Sequence, residues 1–257
     1  MRTVLGFLDS SAAARAVLET ALGIGELTGA TVEAIHVQEN SGKTPAAAAE
    51  RSGVPLRVVD GPVEAGLLTA LAETNVIAGV FGARGTPGGR LPVGHTALHI
   101  LERTNKPVVV VPPEAVGISP RPFRRLLVPL EGSEQSARPV ADDLGPLIPD
   151  DIELVVLHVF TTSTVSPILD HPEWDLPLWG DEFLTRFCPN ASRIDLRTGA
   201  VGGGVTETCR ECGADLVVLS WSQDASPGHA AVIRDVLAHS AVPVLLLPVD
   251  AAGTIAG

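Results

Sequence analysis

The feature that most constrains this chain is that it repeats itself. Val4-Leu5-Gly6-Phe7-Leu8-Asp9-Ser10-Ser11 is echoed by Leu126-Leu127-Val128-Pro129-Leu130-Glu131-Gly132-Ser133, and Ala34-Ile35-His36-Val37 returns as Val156-Leu157-His158-Val159, both at a shift of 122 residues. Further along the shift grows: Gly61-Pro62-Val63 matches Gly199-Ala200-Val201 at 138, and Pro107 to Pro112 matches Pro243 to Pro248 at 136. A period of this length means two copies of one folding unit rather than a short-repeat array. The second copy carries about 16 extra residues between His158 and Gly199, and the joint lies in the stretch from Pro113 to Pro122. Domains of 1–115 and 116–257 follow.

Within the first unit, apolar strand-length runs fall near 3–8, 32–37, 55–59, 76–82 and 107–112, with helical patterns near 12–28, 62–74 and 96–104 between them. Strands alternating with helices imply a mostly parallel sheet covered on both faces. The expected fold class is α/β: two tandem doubly wound units, each a five-stranded parallel sheet with helices on both faces. In such sheets ligands bind beyond the carboxyl ends of the strands, at a topological switch point.

Charge narrows the partners. The chain has 18 basic and 30 acidic residues, a net charge of −12, which is the wrong sign for a nucleic-acid groove or an anionic membrane surface. With no tyrosine and 4% aromatics it is also poorly supplied for stacking on single-stranded bases. The apolar runs are strand length, well short of the roughly 18 residues of a membrane span. Asp9 breaks the apolar amino terminus before a signal-peptide core could form, so a cytoplasmic protein is expected. Three cysteines, an odd number, suit reduced thiols better than a disulfide framework.

The segment Gly82-Ala83-Arg84-Gly85-Thr86-Pro87-Gly88-Gly89-Arg90 leaves the fourth strand, and Gly94-His95-Thr96 opens the last helix of the first unit. Glycines let backbone approach an anion closely, and the free N–H groups of a helix start favour phosphate. The sequence is neither a Walker loop nor a dinucleotide G-x-G-x-x-G.

Together with the repeat, these residues resemble the universal stress protein family in its tandem form. The resemblance covers nearly the whole chain: an early Asp ending strand one, His-Val ending strand two, a G-x2-G-x9-G-[S/T] loop and a final Pro-apolar strand. It implies a regulatory stress-response protein, not an enzyme, with slow ATP hydrolysis left open. ATP or a related adenine nucleotide would be held by the first domain only. By that resemblance Asp9 takes the nucleoside, Val37 the adenine wall, and Gly82, Arg84, Gly85, Gly94, His95 and Thr96 the phosphate end. The loop departs from the pattern twice. Eight residues rather than nine separate Gly85 from Gly94, and His95 stands at the hydroxyl position. Thr96 supplies the hydroxyl if the shorter loop shifts the register by one.

The second unit departs further, with Ser220-Trp221-Ser222-Gln223 in place of Gly82-Ala83-Arg84-Gly85 and Glu131 in place of Asp9. Residues 1–115 hold 9 basic and 11 acidic residues, net −2, and 116–257 hold 9 and 19, net −10, so a polyphosphate is repelled more by the second. The alternative reading is a non-catalytic interaction module that has lost nucleotide binding in both domains. In either reading the two units form an intramolecular pseudo-dimer, and a homodimer of whole chains stays open.

Other features read as structural. Val201, Val205, Cys209 and Cys212 fall at the 138 shift on Val63, Leu67, Leu71 and Thr74, one helical stripe, so both cysteines are expected to be buried thiols. His36 and His158 read as hydrogen-bonded structural imidazoles. His171, Glu173 and Asp175 could ligate a metal, but no second His lies at helical spacing and the prolines around them point to an irregular loop. Trp174 and Trp179 lie on the inserted segment, either as a lid or contact surface or as a plug in the second unit's vacated cleft.

Overall fold

The computed structural model describes residues 1–38, 45–83, 95–112, 115, 122–161, 172–223 and 230–249, with backbone alone at 95, 96, 143, 146 and 172–175. The strands are β1 (Thr3–Phe7), β2 (Thr31–Gln38), β3 (Leu56–Asp60), β4 (Val76–Gly82), β5 (Val108–Val111), β6 (Arg125–Pro129), β7 (Glu153–Phe160), β8 (Arg193–Thr198), β9 (Leu216–Trp221) and β10 (Val244–Pro248). The helices are α1 (Ala14–Thr28), α2 (Ala46–Ser52), α3 (Val63–Leu71), α4 (His95–Arg103), α5 (Glu134–Arg138), α6 (Pro172–Phe187), α7 (Val201–Cys212) and α8 (Ala231–His239).

Each half is the expected five-stranded parallel sheet, and the two join edge to edge. The order is β3-β2-β1-β4-β5-β10-β9-β6-β7-β8, a single ten-stranded sheet whose β5–β10 pair is antiparallel. The repeat holds residue by residue: Thr3 pairs with Thr31 as Arg125 pairs with Glu153, and Gly79 pairs with Val108 as Val217 pairs with Val244.

Apart from the edge strands β3 and β8, the strands are largely buried on both faces, so they read as continuous apolar runs, yet their side chains still alternate between two cores. Val4 packs with α1 on one side, while Leu5 and Phe7 pack with α3 and α4 on the other. Each core runs across the β5–β10 seam into the second half, where α5 and α6 continue the first and α7 and α8 the second.

Two elements depart from the sequence reading. The short helix α2 has no signal in the sequence, because its run of four alanines has no apolar period. The region after His171 is not an irregular loop but the start of α6, with Pro172 as its first residue and Pro177 inside. Proline is tolerated at the first helical position, where its missing N–H would be unpaired anyway. Pro177 is exposed, and the apolar residues beyond it anchor the helix.

Candidate functional site

In the first half the strand order reverses between β1 and β4, so the switch-point crevice lies at their carboxyl ends. The end of β1 is fastened to β2 by two bonds: Leu8 N–H donates to Ile35 O at 2.8 Å, and His36 Nδ1 lies 2.9 Å from Leu8 O. The chain then leaves the sheet at Asp9. Its Oδ1 accepts the Ser11 N–H at 2.8 Å, and Ser11 Oγ accepts the Ala13 N–H at 3.2 Å, a pair of local turns leading into α1. Asp9 is thereby held half exposed at the strand end.

Val37 lies beside it near the end of β2, buried and pressed by α3. A Cβ on Gly66 of α3 would come within 2.9 Å of Val37 Cγ1, so this helix crosses the strand more closely than alanine allows. The same contact recurs in the second half, where a Cβ on Gly204 would meet Val159 Cγ2 at 3.2 Å. Sequence reading missed this pair, although the 138 shift maps Gly66 onto Gly204.

Gly82 is the last residue of β4, one step beyond the Phe7–Phe81 pair, and so adjoins the end of β1. Asp9, Val37 and Gly82 are thus brought to one end of three neighbouring strands. His95 and Thr96 open α4, and Arg84, Gly85 and Gly94 lie outside the described residues.

The second half preserves the scaffold and changes the contents. Leu130 N–H donates to Leu157 O at 2.9 Å and His158 Nδ1 lies 2.8 Å from Leu130 O, as at the equivalent bonds of the first half. Both histidines are therefore structural, as expected from sequence. Glu131 is exposed and accepts from Ser133 Oγ at 2.7 Å, while Ser133 caps α5.

Over this strand end lies α6. Trp179 and Phe183 each stand 5.0 Å from the His158 ring, and Phe160 stands 5.0 Å from Trp179. A Cβ on Gly132, beside Glu131, would meet Phe183 Cε2 at 3.1 Å. Trp179 is thus packed half-buried against the rings at this strand end and the core under α6. Burial among these rings lowers the His158 pKa, so the imidazole is held neutral. Where Gly82 passes close to Ala13, Ser220 instead carries a hydroxyl that donates to Ser136 O.

Of the two cysteines expected to be buried, Cys209 is, and burial pushes its thiol up to about 12. Cys212 is half exposed, a correction to that expectation. It is the last residue of α7 and packs against the rim of the core, leaving one side open. Its equivalent, Thr74, lies beyond the end of α3. His171 is outside the described residues. Among the described residues, no three His, Cys, Asp or Glu side chains come close enough to hold a metal, and no helix is long and apolar enough to cross a membrane.

Residues 122–248 match the model of the universal stress protein family. The second half of this chain is a universal stress protein domain. The universal stress protein fold extends over the first half as well, in tandem. A universal stress protein from Archaeoglobus fulgidus DSM 4304 covers 96% of this chain and 96% of its own, with a TM-score of 0.67 at 17% identity. A functionally unknown protein from Pseudomonas aeruginosa PAO1 covers 96% and 92%, with a TM-score of 0.68 at 13% identity. No curated protein sequence matches the chain.

Proposed function

We propose that the protein binds ATP or a related adenine nucleotide in its first domain, residues 1–115, as a regulatory rather than catalytic event. The second domain, residues 116–257, acts as its structural partner. One observation carries this reading: the two switch points share a scaffold, but Phe183 and Trp179 cover the second, while the helix following β2 opens with four alanines.

The residues of the first half fit such a ligand. The half-exposed Asp9 carboxylate can accept hydrogen bonds from ribose hydroxyls, and Val37 offers an apolar wall to a base. Gly82 leaves room for close backbone approach, and the start of α4 at His95 and Thr96 presents free N–H groups to phosphate. The sequence adds Arg84, Gly85 and Gly94 between these points. Among the described residues nothing resembles a phosphoryl-transfer centre, with its positioned base and cation clamp, so no hydrolytic step is proposed.

Calorimetry with magnesium-ATP on matched variants tests the reading. Asp9→Ala should weaken binding by about 1.5–3 kcal/mol, roughly ten- to a hundredfold, through loss of a charge-assisted bond. Glu131→Ala should leave affinity unchanged. Equal losses would reject the asymmetry between domains. No binding by the unmodified protein at millimolar nucleotide would leave it an interaction module.

A further inference from the structure

We infer that the second half positions a helix of the first: Trp221 and Gln223 hold the carboxyl end of α4, the helix that follows the glycine-rich segment in the sequence. A helix leaves its last four carbonyls without intrahelical partners. At α4, Ile100 O is taken by the Thr104 N–H at 2.9 Å. One of the remaining carbonyls, Leu101 O, and Thr104 O, one residue past the end of the helix, are satisfied from the other half of the molecule. The Trp221 indole N–H donates to Leu101 O at 3.2 Å, and the Gln223 side-chain amide donates to Thr104 O.

Both donors are built in. Trp221 is 3% exposed, packed in the core shared by the two halves. Gln223 has φ +60°, the left-handed region that side chains other than glycine's rarely adopt, and no other described non-glycine residue has a positive φ. At the 138 shift these residues are the equivalents of Ala83 and Gly85. The loop that is glycine-rich in the first half has become, in the second, a clamp on its counterpart's helix. The nine residues of α4 span only about 13 Å at the ordinary rise, so a shift at one end is carried to the other.

This regulation of the first-half site rests on the nucleotide reading, but the clamp itself can be tested without ligand. Backbone hydrogen exchange is measured on the full chain carrying Gln223→Gly, which removes the amide while relieving the positive φ, or Trp221→Phe, which removes the indole N–H. Ser220→Ala is the control, since its hydroxyl bonds Ser136 O within the second half. Exchange along α4 should rise at least about tenfold in the first two variants, with α1 unchanged, and should not rise in the control. Unchanged exchange in both variants, or an equal rise in the control, overturns the clamp.

Magnesium-ATP calorimetry then separates the two readings. A several-fold loss of affinity with Gln223→Gly, restored by Gln223→Lys, which keeps a donor, supports the coupling. Equal affinity in parent and Gln223→Gly overturns it and leaves nucleotide binding standing. No binding by the parent, with the exchange result as expected, overturns the nucleotide reading and supports the clamp.

Discussion

Val109 and Leu245 face each other in the antiparallel ladder between β5 and β10, and Leu245 is the repeat equivalent of Val109. The flanking pairs, Val110 with Val244 and Val108 with Leu246, exchange under the same equivalence. The seam is therefore isologous, as in a twofold dimer, and its pseudo-axis passes between these two residues.

Both residues are almost fully buried, at 0% and 4% exposure. Leu245→Ala should cost about 2–5 kcal/mol. Because both cores cross the seam, the loss should appear as one shifted urea transition. Two separated transitions, with only the second half destabilised, would show that the halves fold independently.

His158 gives a pH dependence that its variant should lack. Its folded pKa lies below the ordinary 6.5 because burial disfavours the imidazolium. Below pH 6.5 the unfolded chain takes up a proton that the folded chain refuses. Stability is therefore full above 6.5 and lost as pH falls from there toward the folded pKa. Denaturation midpoints measured from pH 7.5 down to 5.5 should fall more steeply for the parent than for His158→Gln. Parallel slopes would mean that the buried ring is not the source.

The thiols should separate by exposure. Burial pushes Cys188 up to about 11 and Cys209 up to about 12, so neither supplies thiolate near neutrality. At pH 8, alkylation of the native protein should reach Cys212 first, and the other two only at the rate of unfolding. Mass spectrometry of the labelled peptides reads the order, and early labelling of Cys209 would contradict the packing of α7.

The repeat was legible because β1, β2, β6 and β7 kept a single register, so Asp9 falls on Glu131 and His36 on His158 at one shift. Cys209 was legible for the same reason, as the equivalent of Leu71. The seam was not, since Val108 to Val111 and Val244 to Leu247 announce buried strands without saying which edge they meet. Nor were the duties of Phe183 and Trp221. Phe183 lies in an insertion with no counterpart to align, and the Trp221 bond spans 120 residues and depends on how the halves meet. Gly82 and Val37 could be assigned to strand ends, but their close neighbours, Ala13 just before α1 and Gly66 within α3, come from elements whose approach no periodicity reveals.

The glycines at the start of α7 should answer oppositely to the same substitution. A Cβ on Gly202 would collide with the Asp235 carboxylate, while one on Gly203 meets nothing within 4 Å. Gly203→Ala should stabilise the protein by about 0.5–1 kcal/mol by restricting the unfolded backbone. Gly202→Ala should destabilise it by about 1–3 kcal/mol, because α8 must move or Asp235 must turn away. Urea denaturation of the pair decides, and matching signs would mean that the helix contact is looser than its geometry.

Gly66 and Gly204 tie packing to function. Each lets a helix lie on the next-to-last residue, a valine, of the second strand of its half, with the hypothetical Cβ 2.9 Å from Val37 and 3.2 Å from Val159. Alanine at either site should cost about 1–3 kcal/mol by overpacking, more at Gly66, where the gap is smaller. Only in the first half does the valine adjoin the proposed nucleotide site, so only Gly66→Ala should also weaken magnesium-ATP binding, by displacing the Val37 wall. Gly204→Ala displaces Val159 on the α7 face of the second half's sheet, away from the proposed site, and should leave affinity as it was. Calorimetry beside denaturation distinguishes the effects: losses of stability at both sites with affinity lost only at Gly66 are expected. An affinity loss at Gly204 alone would place the ligand in the other half.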